Sequence, residues 1–453
     1  MNIPWHLLVL LAGQADGWKL DTLHRPGRES LRGLVVRQGA DAIEFKQVVR
    51  KPGSPTLVFA LSFKPSEVSG LDLIDDADRA ELTRKLEKLE NDRRLLFAHL
   101  RRVEKGAIAE DLPGLTSASW PGDPTGATMA RVYAGGRFRL VTTVGAELAQ
   151  LVALQLEQVF AAYAQLLPPR VPDAKPVTIL LARSPAEYAA LAKGRGAGGL
   201  LNPAFYDPAT NTVACGSDLD DLEKRIDMLR EHHAAEFARI QKGEKDLRAA
   251  YMNKPPADLM AVFQEARAKL KGVVERNEAT VRTARRLLLE RLNHEACHAY
   301  LANEVFPVAK GGLPRWLDEG LAQVFEGALV EAGELRAERP DPQRLARFRQ
   351  AIQSGELPPL AELLRADAKS FLVHHFERKE DSDRAYLVAW GLAYWLLFER
   401  QALAGPVLDR ALEARVQGAD PVAFFEALAG KPLPEAEKHW REGMKALRSS
   451  GGR

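Results

Sequence analysis

His294-Glu295-Ala296-Cys297-His298, followed by Pro314-Arg315-Trp316-Leu317-Asp318-Glu319-Gly320, is the stretch on which the reading of this chain turns. Residues at i and i+4 of a helix stand on one face, a turn apart. On a helix the rings of His294 and His298 can therefore reach one tetrahedral metal ion at about 2.0–2.1 Å. Glu295 lies about 100° further around the helix. There it borders the ion without ligating it and can take a proton from a water that the ion acidifies. A catalytic ion also needs a third protein ligand and an open position, and Glu319 is the best candidate. The interval from His298 leaves room for the first helix to end, a loop to turn and a second helix to return. Gly311-Gly312 and Pro314 supply the turn chemistry. In the returning segment Leu317, Leu321, Val324 and Phe325 recur at helical spacing. These residue types in this pattern imply Zn2+ held by His294, His298 and Glu319, with Glu295 as general base of a hydrolysis.

The pattern resembles the gluzincins, metallopeptidases whose zinc is held by H-E-x-x-H plus a downstream glutamate; thermolysin and aminopeptidase N are among them. Trp316-Leu317-Asp318-Glu319-Gly320 is similar to the W-x-x-E-G of bacterial peptidase-MA-like families. The specific match covers residues 283–326, and a weaker similarity runs from residue 137 to the C-terminus. The resemblance implies peptide-bond hydrolysis, with a peptide or protein substrate as partner. It further implies a small sheet ahead of the metal helix whose edge strand pairs with the substrate backbone. Thr212-Val213-Ala214-Cys215-Gly216 is the candidate edge, with Val213 and Ala214 at its centre. Aminopeptidase-type members place a tyrosine downstream as a donor to the developing oxyanion. Tyr386 fits that place, with Tyr394, His374 and His375 as alternatives.

Metal-bound histidines donate their second ring nitrogen to an outer acceptor. Thermolysin-like relatives use an acid four residues after the glutamate ligand. This chain has Gln323 there, a departure; Asp318 or Glu326 can substitute. No G-x-M-x-N amine-binding motif is present, so the sequence gives no support for exopeptidase action. Rival readings are a zinc amidase acting on cell-wall peptides and a scaffold or binding protein retaining a structural zinc. A structural site is normally closed by four protein ligands, and three are found.

The chain of 453 residues is long enough for two or three domains. Its 63 basic and 61 acidic residues leave a net charge of +2, so nothing points to nucleic acid. Residues 3–12 form a short apolar run, and Gly13-Gln14-Ala15 places small residues before a cleavage point. Residues 1–15 thus read as a secretory signal, implying export to a periplasm or the extracellular space. No later segment is apolar enough to span a bilayer, so stable membrane insertion is not expected after the signal is removed. Two cysteines, Cys215 and Cys297, allow at most one disulfide.

The predicted fold class is α+β. A small β-module spans 16–70, with strands near Ser30–Arg37, Ala42–Val48 and Thr56–Leu61. A helix and a linker fill 71–128. Residues 129–453 form the gluzincin-like domain, a small sheet followed by a helical C-terminal half. Within it, residues 217–285 read as a long helical hairpin turning near Pro255, inserted before the metal helix. The charged faces of that hairpin read as a solvated excursion.

Overall fold

The computed structural model describes residues 18–50, 56–98, 114–195, 203–327, 329–331, 334–336, 340–367, 371, 379–403 and 405–447. The expected signal at 1–15 and the alternative donors His374 and His375 lie outside the described residues. The fold is α+β, with an N-terminal sheet, a second mixed sheet and a helical C-terminal half.

The first sheet begins with β1 (Asp21–Arg25), β2 (Arg28–Gln38), β3 (Ile43–Val49), β4 (Leu57–Phe63) and β5 (Gly70–Asp72), and helix α1 (Asp76–Ala98) follows. Strand alternation divides the side chains between two faces. Leu23, Leu31, Val35, Ile43 and Phe45 pack together on one face. Leu34, Val48 and Val58 meet Leu82 and Leu86 of α1 on the other. Buried Asp21 ties these layers together. It accepts from the backbone of Val35 at 2.7 Å and of Ile74 at 2.9 Å, and pairs with Arg79 of α1 at 3.2 Å.

The second sheet is built from β6 (Thr116–Ser119), β7 (Met129–Ala134) and β8 (Phe138–Thr142), then helix α2 (Ala146–Leu166), β9 (Val177–Ala182), helix α3 (Pro185–Gly194), β10 (Ala204–Asp207) and β11 (Thr212–Gly216). Its order is β10-β11-β9-β8-β7-β6; β8, β9 and β11 run parallel, and β6, β7 and β10 pair antiparallel. The segment expected as linker thus contributes strand β6, and Trp120 beside it is buried in the core under α3. Helix α2 is buried on nearly all sides, from Leu148 to Tyr163.

Helices α4 (Leu219–Ala250) and α5 (Ala257–Tyr300) form the hairpin. Arg230 grips Glu278 through two 2.7 Å contacts, and Arg285 meets Glu223 at 2.8 Å. The N-terminal half of α5 belongs to the hairpin arm and its C-terminal end carries the metal motif. The helix then widens into a π-turn at Leu301–Val305, a local form common at functional sites. Gly311 and Gly312, at φ of 104° and 64°, turn the chain back; such angles suit glycine, which lacks a Cβ.

The chain returns in α6 (Arg315–Glu326), followed by the short strands β12 (Leu329–Glu331) and β13 (Glu334–Arg336). Strand β13 pairs parallel with β4. The N-terminal sheet is therefore extended by residues that follow the last metal-ligand candidate. Helices α7 (Pro342–Ser354), α8 (Leu360–Arg365), α9 (Lys379–Tyr394), α10 (Pro406–Val416), α11 (Pro421–Ala429) and α12 (Leu433–Ala446) complete the C-terminal half. Among the described residues no helix is long and apolar enough to cross a membrane.

Helix α6 lies against α5 on one side and α9 on the other. Gly320 permits the second contact: a Cβ there would sit 2.2 Å from the carbonyl oxygen of Ala389 and 2.9 Å from Cβ of Ala393. The glycine after Glu319 is thus a packing requirement. Gly320→Ala must push α9 away from α6, and overpacking of this kind costs about 1–3 kcal/mol. Urea unfolding should show that loss; an unchanged midpoint would mean that the two helices do not pack so closely.

Candidate metal centre

The end of α5 and the start of α6 bring the ligand candidates together. His294 and His298 are one turn apart, and their Nε2 atoms face each other at 3.2 Å. Glu319 Oε2 lies 3.6 Å from Nε2 of His294 and 3.8 Å from Nε2 of His298. Ligands around a tetrahedral ion with bonds of about 2.0–2.1 Å stand about 3.3–3.4 Å apart. A circle through these three atoms has a radius of about 2.1 Å, so one ion can reach all three. Among the described residues this is the one group of three or more histidine, cysteine, aspartate or glutamate side chains spaced to hold a metal ion.

The outer contacts fit the same purpose. Nδ1 of His298 meets Asp318 Oδ1 at 3.0 Å, and Nδ1 of His294 meets Glu326 Oε2 at 3.2 Å. A ring nitrogen facing a carboxylate carries the proton, so the two Nε2 atoms turn lone pairs toward each other and toward Glu319. Such an arrangement needs a cation between them, a proton or a metal ion. Glu319 Oε2 is buried and makes no hydrogen bond, an orphan that a ligated ion would satisfy.

Two arginines anchor the carboxylates. Arg315 pairs with Asp318 at 3.2 Å through Nη1 and with Glu319 Oε1 through Nη2. Arg344 lies 3.8 Å from Glu326 and donates to the backbone carbonyl of Gln323 at 2.8 Å. The acceptor on His294 is therefore Glu326, not Gln323, which meets Arg344 through its main chain. The sequence reading missed both arginines. Arg315 could have been found by its i+3 and i+4 spacing to Asp318 and Glu319.

Burial opposes a charge on His294, but the carboxylates of Glu319 and Glu326 outweigh it and hold the ring well above its ordinary pKa. The ring of His298 is raised too, with Asp318 overcoming burial. Burial also works against the charged form of Glu319, yet His294, His298 and Arg315 prevail and bring it down to about 2.

Glu295, on the same helix, is buried, and among the described residues it engages in no ion pair. Its charge is felt by His294, by Tyr386 of α9, and by Tyr188 and Cys215 on the sheet side. Tyr386 donates its hydroxyl to the carbonyl of Phe371. Burial first, and then the negative charge of Glu319, raise its phenol above the ordinary range. Tyr394 is buried between Trp390 and Phe398. Cys215 and Cys297 are both buried free thiols, so no disulfide joins them.

The expected edge strand requires correction. Val213 and Ala214 lie in β11, which is paired to β9 on one side and β10 on the other. All five residues of β11 are buried, the mark of an interior strand. The outer strand is β10, one residue of which, Tyr206, lies within electrostatic reach of Asp318.

Residues 289–408 match a family described as "Protein of unknown function (DUF1570)", a span that includes His294, Glu295, His298, Glu319 and Tyr386. No curated protein and no solved structure matches the chain.

A metal ion competes with protons for the two rings, which the neighbouring carboxylates raise above their ordinary pKa. Affinity should therefore fall as pH falls through those pKa values, by about tenfold per pH unit for each proton displaced. Competition titrations against a chelator across that range should show the slope, and His298→Ala should lose stoichiometric metal altogether. A pH-independent affinity, or tight metal retained by His298→Ala, would contradict the assignment.

Proposed function

We propose that this protein is a zinc-dependent peptidase of the gluzincin type, with Glu295 as its general base. The observation that carries the proposal is the convergence of two imidazole Nε2 atoms and one orphaned carboxylate oxygen beside a buried glutamate that holds no ion pair among the described residues. Two imidazoles and one carboxylate are a donor set suited to zinc. Three protein donors leave a position open, whereas a structural zinc is closed by four; this weighs against the scaffold reading.

Bound zinc would supply a Lewis acid and a water acidified toward neutral pH. The rest is work for the chain's own groups. Asp318 and Glu326 fix the tautomer and tilt of His298 and His294. Glu295 accepts the proton of the attacking water and later passes it to the leaving amine. Tyr386 offers a neutral hydroxyl, now donated to the carbonyl of Phe371, that can turn to the substrate oxygen as negative charge develops there. Export, suggested by residues 1–15, belongs to the same proposal; N-terminal sequencing of protein from its host should start near Asp16, and an intact Met1 would refute it.

Glu295→Gln should keep the metal and the fold and lose at least ~10²-fold in peptide cleavage, since general acid–base catalysis contributes on the order of 10²–10⁴. Tyr386→Phe should lower kcat by about 10–10³-fold with little change in KM, as expected for an oxyanion donor. A proteome-wide cleavage profile, with and without chelator, reads out the first and supplies a defined peptide on which steady-state rates read out the second. Cleavage that survives the chelator or the Glu295→Gln change would sink the peptidase reading.

A further inference from the structure

Resting on the metal-centre reading above, we propose that Arg315 is a positioning residue that limits Glu319 to a single ligating oxygen and so keeps the fourth metal position open. Arg315, Asp318 and Glu319 share one face of the first turns of α6. One guanidinium spans both acids: Nη1 holds Asp318 Oδ2 at 3.2 Å, and Nη2 holds Glu319 Oε1. The second oxygen of each acid faces the site. Asp318 Oδ1 receives Nδ1 of His298 at 3.0 Å, while Glu319 Oε2 points, without a hydrogen bond, at the two Nε2 atoms.

A free carboxylate can bind a metal through one oxygen or both. With Oε1 committed to a charge-assisted hydrogen bond, Glu319 has only Oε2 to give. The same guanidinium aligns Asp318, which aligns His298, so two of the three ligands are referred to one anchor. Arg344 plays only the outer part of this role: it lies 3.8 Å from Glu326, the acceptor on His294, and holds no ligand candidate.

Arg315 also stands beside the place of a cation, which it repels. Repulsion and positioning therefore predict opposite signs when the charge is removed. Lysine keeps the charge but lacks the planar fork that spans two carboxylates. If Arg315 positions the ligands, Arg315→Lys and Arg315→Gln should both weaken zinc affinity by about 10–100-fold, the range seen when outer-shell partners are lost. The visible bands of the cobalt-loaded variants should lose intensity as Glu319 turns bidentate and the coordination number rises. Zinc affinity is read by chelator competition, and thermal unfolding of the metal-free proteins confirms the fold. Wild-type affinity and spectrum in Arg315→Lys, or tighter zinc binding by Arg315→Gln, would overturn the inference. If neither variant folds, Asp318→Asn tests the same anchor: about tenfold weaker zinc binding is expected, and unchanged binding overturns it. Failure of the wild-type protein to bind zinc would instead strike the metal-centre reading itself.

Discussion

Two imidazole nitrogens held 3.2 Å apart, with a buried carboxylate oxygen facing both, set a demand for positive charge that the rest of the site is arranged around. Lone pairs at that distance repel, and an unpartnered buried oxygen is costly. The protein tolerates both because the outer faces of the rings are tied to Asp318 and Glu326, and those acids to Arg315 and Arg344. The same carboxylates favour positive charge at both rings and raise them above their ordinary pKa.

Holding that geometry depends on where two helices end and begin. Tyr163 of α2 donates its hydroxyl to the carbonyl of Asn293 at 2.6 Å, and Tyr300 donates to the carbonyl of Leu167 at 2.5 Å, bracketing the metal motif on α5. Within the π-turn, the backbone carbonyl of Glu304 accepts from Arg170 and Val171, and its side chain pairs with Arg137. Gly320 lets α9 close on α6, and β13 ties the segment after α6 to the N-terminal sheet. Each candidate ligand is thus carried on a helix fixed from more than one side, as a preorganised site requires.

Legibility from sequence followed the range of the interaction. The two histidines, Glu295 and the hairpin α4–α5 rest on helical spacing, which is local and repeats in the chain. Glu319 was reachable because its helix carries its own apolar periodicity. The β6 strand, Thr-Ser-Ala-Ser, has only Thr116 among the branched and aromatic residues that mark strands, so it read as linker. Strands β12 and β13 are three residues each, and β13 gains its partner, β4, from the far end of the chain. The error at Val213 and Ala214 has a plain cause: the edge was assigned by resemblance, whereas the apolar stretch Val213-Ala214-Cys215 itself signals a strand covered on both sides, and β10, which lies outside it, has four residues. Glu326 proved to be the acceptor on His294 because α6 turns that residue toward α5, a tertiary fact that spacing from Glu319 does not carry.

X-ray absorption at the zinc edge of protein loaded with one equivalent of metal reads directly what fills the space between His294, His298 and Glu319. Two imidazoles and one carboxylate oxygen are expected at about 2.0–2.1 Å, with a single further light atom of solvent. A sulfur ligand, a fourth protein donor or a shell without imidazole would contradict the assignment.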